Sequence, residues 1–268
     1  MTTVFVTGAS TGIGLATVQE LAKKEGYRIY AASRDPESCR ELLELAKNCQ
    51  NVFLQKMDVT SDKSVRDAVD AIEKTEGKID VLVNNAGRGI FGPVESVSIE
   101  QAKEIFDVNV MGVMRVDQAA LPLMRSLKRG RIIYISSIVG PMPSRILPIY
   151  AASKAAMESL AMTQAKDVSK WNISVSIVQP GCTQTRFFEN LMIGDRFAKG
   201  SNPYEEQMEE SHTNYNKAIE TGQSKEEVAA VIVSVIEAKE PQLWVQTSTQ
   251  VSDAISRHYR DITGSTFK

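Results

Sequence analysis

A chain of 268 residues, 43% hydrophobic and 24% charged, has the composition of a folded globular protein and is long enough to bury a sizeable core. Its formal net charge of −2 supplies no basic face, which argues against nucleic acid and anionic membrane as partners. Two histidines, His212 and His258, exclude an HExxH-type metal site, and the three cysteines Cys39, Cys49 and Cys182 lack ligand spacing, so no metal is expected and a reduced, cytoplasmic setting fits better than a disulfide framework.

The opening MTTVFVTGAS lacks a basic n-region and a long apolar core, so it reads as a strand entering a turn rather than a signal peptide. The apolar run TVFVT at Thr3 leads into TGASTGIG, Thr7 to Gly14. Gly8, Gly12 and Gly14 in that turn would let backbone N–H groups approach an anion at the N-terminus of the first helix. The second run, YRIYAAS at Tyr27, ends close to 20 residues after the glycines, where a dinucleotide site meets the adenosine ribose. Here the chain offers Ser33 and Arg34. A guanidinium forks onto a phosphate and a small hydroxyl adds no repulsion, so NADP(H) is expected over NAD(H). Asp35 is the counter-argument; followed by Pro36, it is read as the N-cap of the next helix.

Further runs follow: NVFLQ at Asn51, IDVLVN at Ile79, RIIYIS at Arg131, ISVSIVQ at Ile173 and QLWV at Gln242. Their near-continuous Val, Ile and Leu content marks strands buried on both faces. Between them lie helical stretches, two with capping-box spacing at Ser98–Gln101 and Ser224–Glu227. This alternation predicts an α/β fold: a doubly wound parallel sheet of about seven strands in three layers, a Rossmann fold read as one domain over residues 1–268. Residues 181–223 exceed an ordinary connection and are expected to form a substrate lid. No apolar run approaches the ~20 residues that cross a bilayer, and the closing DITGSTFK carries no lipidation pattern.

The reacting groups are expected at the second YAAS of the chain, which begins at Tyr150 and is followed by Lys154. Pro148 starts a helix there, and residues four apart share one helical face. A free tyrosine has a pKa of about 10, and lowering it by about 3 units needs roughly 4 kcal/mol. One positive charge at ~4 Å and an effective dielectric of ~20 supplies about that much, so Lys154 is expected to make Tyr150 an acid and base near neutrality. Ser137 stands 13 residues earlier at the end of the fifth strand, and Asn109 lies on the apolar stripe of a long helix with Ala102, Phe106 and Val113. A buried asparagine there needs hydrogen-bond partners.

Together TGASTGIG, Asp58, NNAG (Asn84 to Gly87), Asn109, Ser137, YAASK and PGCTQT (Pro180 to Thr185) resemble the short-chain dehydrogenase/reductase family over about the first 185 residues. The resemblance implies Tyr150 as proton donor and acceptor, Lys154 lowering its pKa and holding the nicotinamide ribose, Ser137 orienting the carbonyl oxygen, and Asn109 holding a water that links Lys154 to solvent. It implies cofactor contacts from Gly8, Ser10, Thr11, Gly12, Ile13 and Gly14, from Ser33 and Arg34, and from Asp58 and Val59 near the adenine. Asn85, Ala86, Gly87, Tyr150, Lys154, Pro180, Gly181 and Thr183 complete that set, with Thr185 on the nicotinamide amide. Ser136 is the neighbour passed over for Ser137 on spacing. Dimers or tetramers are the family habit, so a homodimer or homotetramer is implied.

YAASRDP, NNAGRGIFGPVES and the ending DITGSTF are most similar to the subgroup with 17β-hydroxysteroid dehydrogenase type 1 and a photoreceptor retinol dehydrogenase, which implies a steroid or retinoid carbonyl and NADPH. The residues agree in direction. Phe187, Phe188, Leu191, Met192 and Ile193 in the long segment face an apolar stretch with Ile138, Met142, Ile146 and Leu147, which suits a hydrophobic carbonyl or alcohol. His212 falls near a substrate-binding histidine of the steroid enzyme or is a solvated helix residue. The competing readings are a reductase of small ketones or acyl thioesters and a dinucleotide-binding regulator without chemistry.

Overall fold

The computed structural model describes residues 1–198 and 200–260; the DITGSTF ending lies outside them. In chain order the elements are β1 (Thr2–Thr7), α1 (Gly12–Ala22), β2 (Tyr27–Ser33), α2 (Arg40–Asn48), β3 (Val52–Lys56), α3 (Asp62–Glu76) and β4 (Val81–Asn84). Then come β5 (Ile90–Phe91), α4 (Ile99–Phe106), α5 (Gly112–Leu127), β6 (Gly130–Ile135), α6 (Pro148–Val168) and β7 (Ile173–Gln179). The rest are β8 (Thr183–Gln184), β9 (Met192–Ile193), α7 (Glu205–Glu220), β10 (Gln223–Ser224), α8 (Lys225–Glu237), β11 (Trp244–Gln246) and α9 (Thr249–Arg260).

All seven apolar runs enter one parallel sheet of order β11-β7-β6-β4-β1-β2-β3. Along β1 the pleat sends Val4 and Val6 to one face and Phe5 to the other. Val4 and Val6 pack with Leu15, Val18 and Leu21 of α1 and Ile232 and Ile236 of α8. Phe5 packs with Val65 and Ile72 of α3, Val116 and Met124 of α5, and Met157 and Ala161 of α6. Helices therefore cover both faces, giving the three expected layers. Strand order reverses between β1 and β4, so the crevice where ligands bind in open α/β sheets opens at their C-terminal ends.

The segment from Gly181 to Gln223 is structured rather than a bare loop. It contains α7 and makes two short parallel pairings, Thr183 with Gln223 and Met192 with Ile90. Gln101 fixes it from below. Its amide closes the Ser98 capping box, donates to Ile193 O at 2.7 Å and accepts from Asp195 N at 3.2 Å. The second box, Ser224 with Glu227, also forms.

Two local expectations are corrected. Asp35 does not cap α2, which begins at Arg40 with Cys39 in the N-cap position and no side-chain cap bond. The intervening residues wrap instead around the glycine turn: Ser38 Oγ donates to Asp35 O at 2.9 Å and Cys39 Sγ to Ser10 O at 2.7 Å. Asn109 does not sit in an uninterrupted α-helix. It lies in a π-helical turn, Asp107–Met111, between α4 and α5, where one extra residue per turn re-aims a side chain.

Candidate active site

The crevice is built first by glycines and one asparagine. Gly8 has φ +65°, and a Cβ there would stand 2.8 Å from Ala86 Cα. A Cβ on Gly14 would meet Gly8 O at 2.5 Å. Only glycine lets β1, the turn and the end of β4 approach this closely. Asn85 closes the joint, its Nδ2 donating to Thr7 O at 2.9 Å and Gly8 O at 3.0 Å. Thr7 Oγ1 accepts from the amides of Asn85 at 3.0 Å and Ala86 at 2.9 Å. Thr11 takes the N-cap position of α1 in extended backbone, with its side chain uncommitted to capping. Ile13 is half-buried against the α1 side of the core. Across the crevice, Thr185 Cγ2 lies 3.5 Å from where a Gly12 Cβ would be, and Thr185 N donates to Thr183 O at 2.8 Å. Pro180 O accepts from Ile138 N at 2.7 Å, which ties the PGCTQT turn to the end of β6. Gly181 lies against Val251 of α9.

This turn floors a chamber of about 1100 Å³ lined by Ser10, Thr11, Gly12, Ser33, Arg34, Asp35, Thr185 and Arg186, among others. Its charge is mixed, since Glu41, Glu189 and Glu220 line it together with Arg40 and Lys225. The hydroxyl of Ser33 is buried and makes no hydrogen bond among the described residues. An orphaned buried hydroxyl beside an exposed guanidinium fits a phosphate-bearing ligand. Asp58 stands close by. Burial pushes its carboxyl up, but the Thr60 amide and hydroxyl at 2.9 and 2.8 Å, aided by Arg34 and Arg115, outweigh that and hold it below its ordinary value. Val59 packs against Gly112 at the start of α5.

Deeper in the crevice the structure gathers Asn109, Ser137, Tyr150 and Lys154. Pro148 opens α6, as expected. Tyr150 is 8% exposed and Lys154 4%. Ser137 lies two residues past β6 and hydrogen-bonds the Tyr150 hydroxyl. Ser136 turns the other way, donating to Glu158 Oε1 at 2.6 Å, so geometry separates the two serines as the spacing does. Lys154 Nζ donates to Ile135 O at 2.7 Å and lies 5.8 Å from the Tyr150 ring centre. Asn109 is fully buried and satisfied: Nδ2 donates to Arg88 O at 2.8 Å and Ser153 Oγ at 2.9 Å, and Oδ1 accepts from Arg88 N at 2.8 Å. Gly87 stands between Asn109 and Lys154, 3.4 Å from Oδ1 and 3.5 Å from Nζ at its Cβ position.

The electrostatics differ from the simple charge argument. Burial raises the Tyr150 pKa, with the Ser137 hydrogen bond acting against it. Burial also pushes Lys154 down to about 8, with Glu158 opposing. Desolvation therefore dominates at Tyr150 and favours its protonated phenol.

An apolar group roofs Tyr150. Phe187, 39% exposed, places its ring 5.4 Å from the Tyr150 ring. Phe188 meets Phe91 at 5.7 Å and Tyr215 at 5.1 Å. Val139, Ile146 and Leu147 complete the wall with Ile138 and Leu191. His212 sits exposed at the rim, 5.4 Å from the Phe188 ring, its Nδ1 3.2 Å from Asn216 Nδ2. Met142 is half-buried in the turn after Gly140 and lies outside this cluster, as does Met192, which packs with Ile90 and Ile105.

Sequence reasoning passed over several residues. Thr7 organises the glycine turn, although its place inside TGASTGIG marked it. Ser153 holds Asn109 from within YAASK, and Phe91 and Tyr215 complete the roof. Glu158 follows Lys154 at the same four-residue spacing that drew attention to Tyr150.

The short chain dehydrogenase family profile matches residues 2–194. Retinol dehydrogenase 8 of Homo sapiens is 34% identical over 275 residues, covering 99% of this chain and 87% of that protein. The 17-beta-hydroxysteroid dehydrogenase type 1 of Mus musculus is 32% identical, covering 99% of this chain and 79% of that protein. A short-chain dehydrogenase from Streptomyces avermitilis superposes with a TM-score of 0.84 at 26% identity, covering 98% of this chain and 93% of that one. With the fold, the glycine turn, the half-buried Ser137 and the buried Tyr150 and Lys154 on one crevice, the chain belongs to the short-chain dehydrogenase family.

Proposed function

We propose that the protein is an NADPH-dependent carbonyl reductase and alcohol dehydrogenase acting on a hydrophobic ketone or aldehyde, of the size and polarity of a steroid or retinoid. The observation that carries this reading is the buried Tyr150 beside Ser137, roofed by Phe187, Phe188 and Phe91. An aromatic roof over one polar group suits an apolar molecule with a single reacting oxygen. The two relatives named for retinol and hydroxysteroid dehydrogenation support the same class.

A nicotinamide dinucleotide, when bound, supplies the hydride. The chain's own residues do the rest. Ser137 holds the carbonyl oxygen, Tyr150 gives it the phenolic proton, and Lys154 places positive charge beneath the phenolate that forms. Asn109 fixes the π turn against Arg88 and Ser153, which holds the wall beside Lys154. The orphaned Ser33 hydroxyl and Arg34 support NADPH. Asp35 is the opposing feature, since it is exposed in the same chamber rather than used as a cap. A phenol kept protonated by burial favours reduction at neutral pH; oxidation should accelerate as pH rises, and reduction should fall as pH passes about 8 and Lys154 loses its proton.

Residues 181–223 are proposed as the substrate lid of a single-domain enzyme. Assembly as a homodimer or homotetramer through α5 and α6 is proposed with it, on the habit of the family. The free thiols of Cys39, Cys49 and Cys182 are in keeping with a cytoplasmic setting; no helix among the described residues is long and apolar enough to cross a membrane. The test is NADPH and NADH oxidation with retinal, a steroid ketone and an acetoacetyl thioester. Turnover of retinal or the steroid ketone with a lower KM for NADPH is expected. Turnover of the thioester alone would overturn the substrate class, and a lower KM for NADH would overturn the cofactor.

A further inference from the structure

Tyr150, Lys154 and Glu158 follow one another at four-residue spacing along α6. Glu158 is 4% exposed, as buried as Lys154. Its Oε1 accepts from Ser136 Oγ at 2.6 Å and Gln179 Nε2 at 2.9 Å. Gln246 Nε2 in turn donates to Gln179 Oε1 at 2.6 Å. Groups at the ends of β6 and β7 thus converge on a single carboxylate, and the end of β11 holds the second of them in place. The fit is close, for a Cβ on Gly140 would stand 2.8 Å from Glu158 Oε1.

A buried carboxylate is costly unless a positive charge answers it. A glutamine would accept the same two hydrogen bonds through its amide oxygen without that cost, so hydrogen bonding alone leaves the charge unexplained. The answering cation is Lys154, one helical turn back and itself desolvated. Lys154 donates to Ile135 O rather than to Glu158, so the two interact through the field and not through a direct bond. The remaining titratable neighbours are few. Tyr150 lies beside Lys154, and Tyr259 of α9 feels the Glu158 charge. Ser136, Gln179, Gln246 and Asn109 are neutral. Burial raises the Glu158 carboxyl, while the two donors and Lys154 act against that.

We infer that Glu158 is a positioning residue whose buried carboxylate keeps Lys154 in its ammonium form beneath Tyr150. The inference rests on the proposed reductase reading for its meaning, but not for its test. The experiment titrates the Lys154 side chain of the full-length protein by ¹³C NMR with lysine labelled at Cε, the signal assigned by its loss in Lys154→Arg. Glu158→Gln keeps both hydrogen bonds and removes the charge; the Lys154 midpoint should fall by about one to two pH units. Glu158→Asp withdraws the charge by one methylene, and its midpoint should lie between the two. An unchanged midpoint in whichever variant folds overturns the inference, because a merely structural tie would leave it where it was. The alkaline limb of carbonyl reduction should move down by the same interval in Glu158→Gln. Failure of the wild-type protein to reduce any hydrophobic carbonyl would overturn the proposed function instead, and the NMR titration would still decide the role of Glu158.

Discussion

At Ser33 and Tyr150 the same physical quantity, burial, decides what a side chain does. Ser33 Oγ is buried with no partner among the described residues, so a negative charge in its place would face the phosphate proposed to sit at Arg34. Ser33→Asp should raise the KM for NADPH about 10- to 100-fold, equivalent to ~1.4–3 kcal/mol, with a smaller effect on NADH. Equal losses for both would detach Ser33 from cofactor choice. Tyr150 shows where sequence reasoning stops. Spacing placed it correctly over Lys154, and the charge arithmetic predicted an acidified phenol. The arithmetic omitted desolvation, which depends on Phe187, Phe188, Leu191 and Phe91 closing over the site. No local pattern reports how tightly such distant segments pack.

Helix ends and strand ends set the geometry at the next scale. Both capping boxes were legible because their bonds close within four residues. The Asp35-Pro36 signal failed because a tertiary contact outranked it: Cys39 Sγ holds Ser10 O across the glycine turn and delays α2 to Arg40. The π turn at Asp107–Met111 was illegible for the related reason that α4 and α5 read as one continuous helical pattern. Gln101 is the element-level anchor of the proposed lid, joining the start of α4 to Ile193 and Asp195. Gln101→Ala removes those bonds and half of the capping box, and should cost about 1–2 kcal/mol, seen as a fall in Tm of about 2–6 °C. An unchanged Tm would show that β5 and β9 hold the segment without it.

Across the whole molecule, the apolar runs and their alternation with helices conveyed the sheet, its two buried faces and the side on which the crevice opens. They conveyed nothing of the polar network inside. Asp117 of α5 is fully enclosed between Asn84 Nδ2 at 2.8 Å, Tyr134 Oη at 2.6 Å and Gln164 Nε2 at 3.3 Å, linking β4, β6 and α6. Burial raises its pKa to about 6 from 3.8, with the three donors opposing. A raised carboxyl binds its proton more tightly when folded. Its contribution to stability is therefore complete below about pH 4 and lost as pH rises through about 6. Relative to Asp117→Asn, the wild-type protein should gain about 2 kcal/mol on going from pH 7.5 to 4.5, measured by urea unfolding at each pH. Parallel pH dependences for the two proteins would remove Asp117 as the cause.

Tyr150→Phe tests the central claim most directly, because it keeps the ring that Phe187 covers and deletes only the hydroxyl. Fluorescence titration should give a Kd for NADPH within about threefold of wild type, while kcat for a hydrophobic carbonyl falls at least about 10²- to 10⁴-fold. A phenylalanine variant that turns over at the wild-type rate would contradict the account.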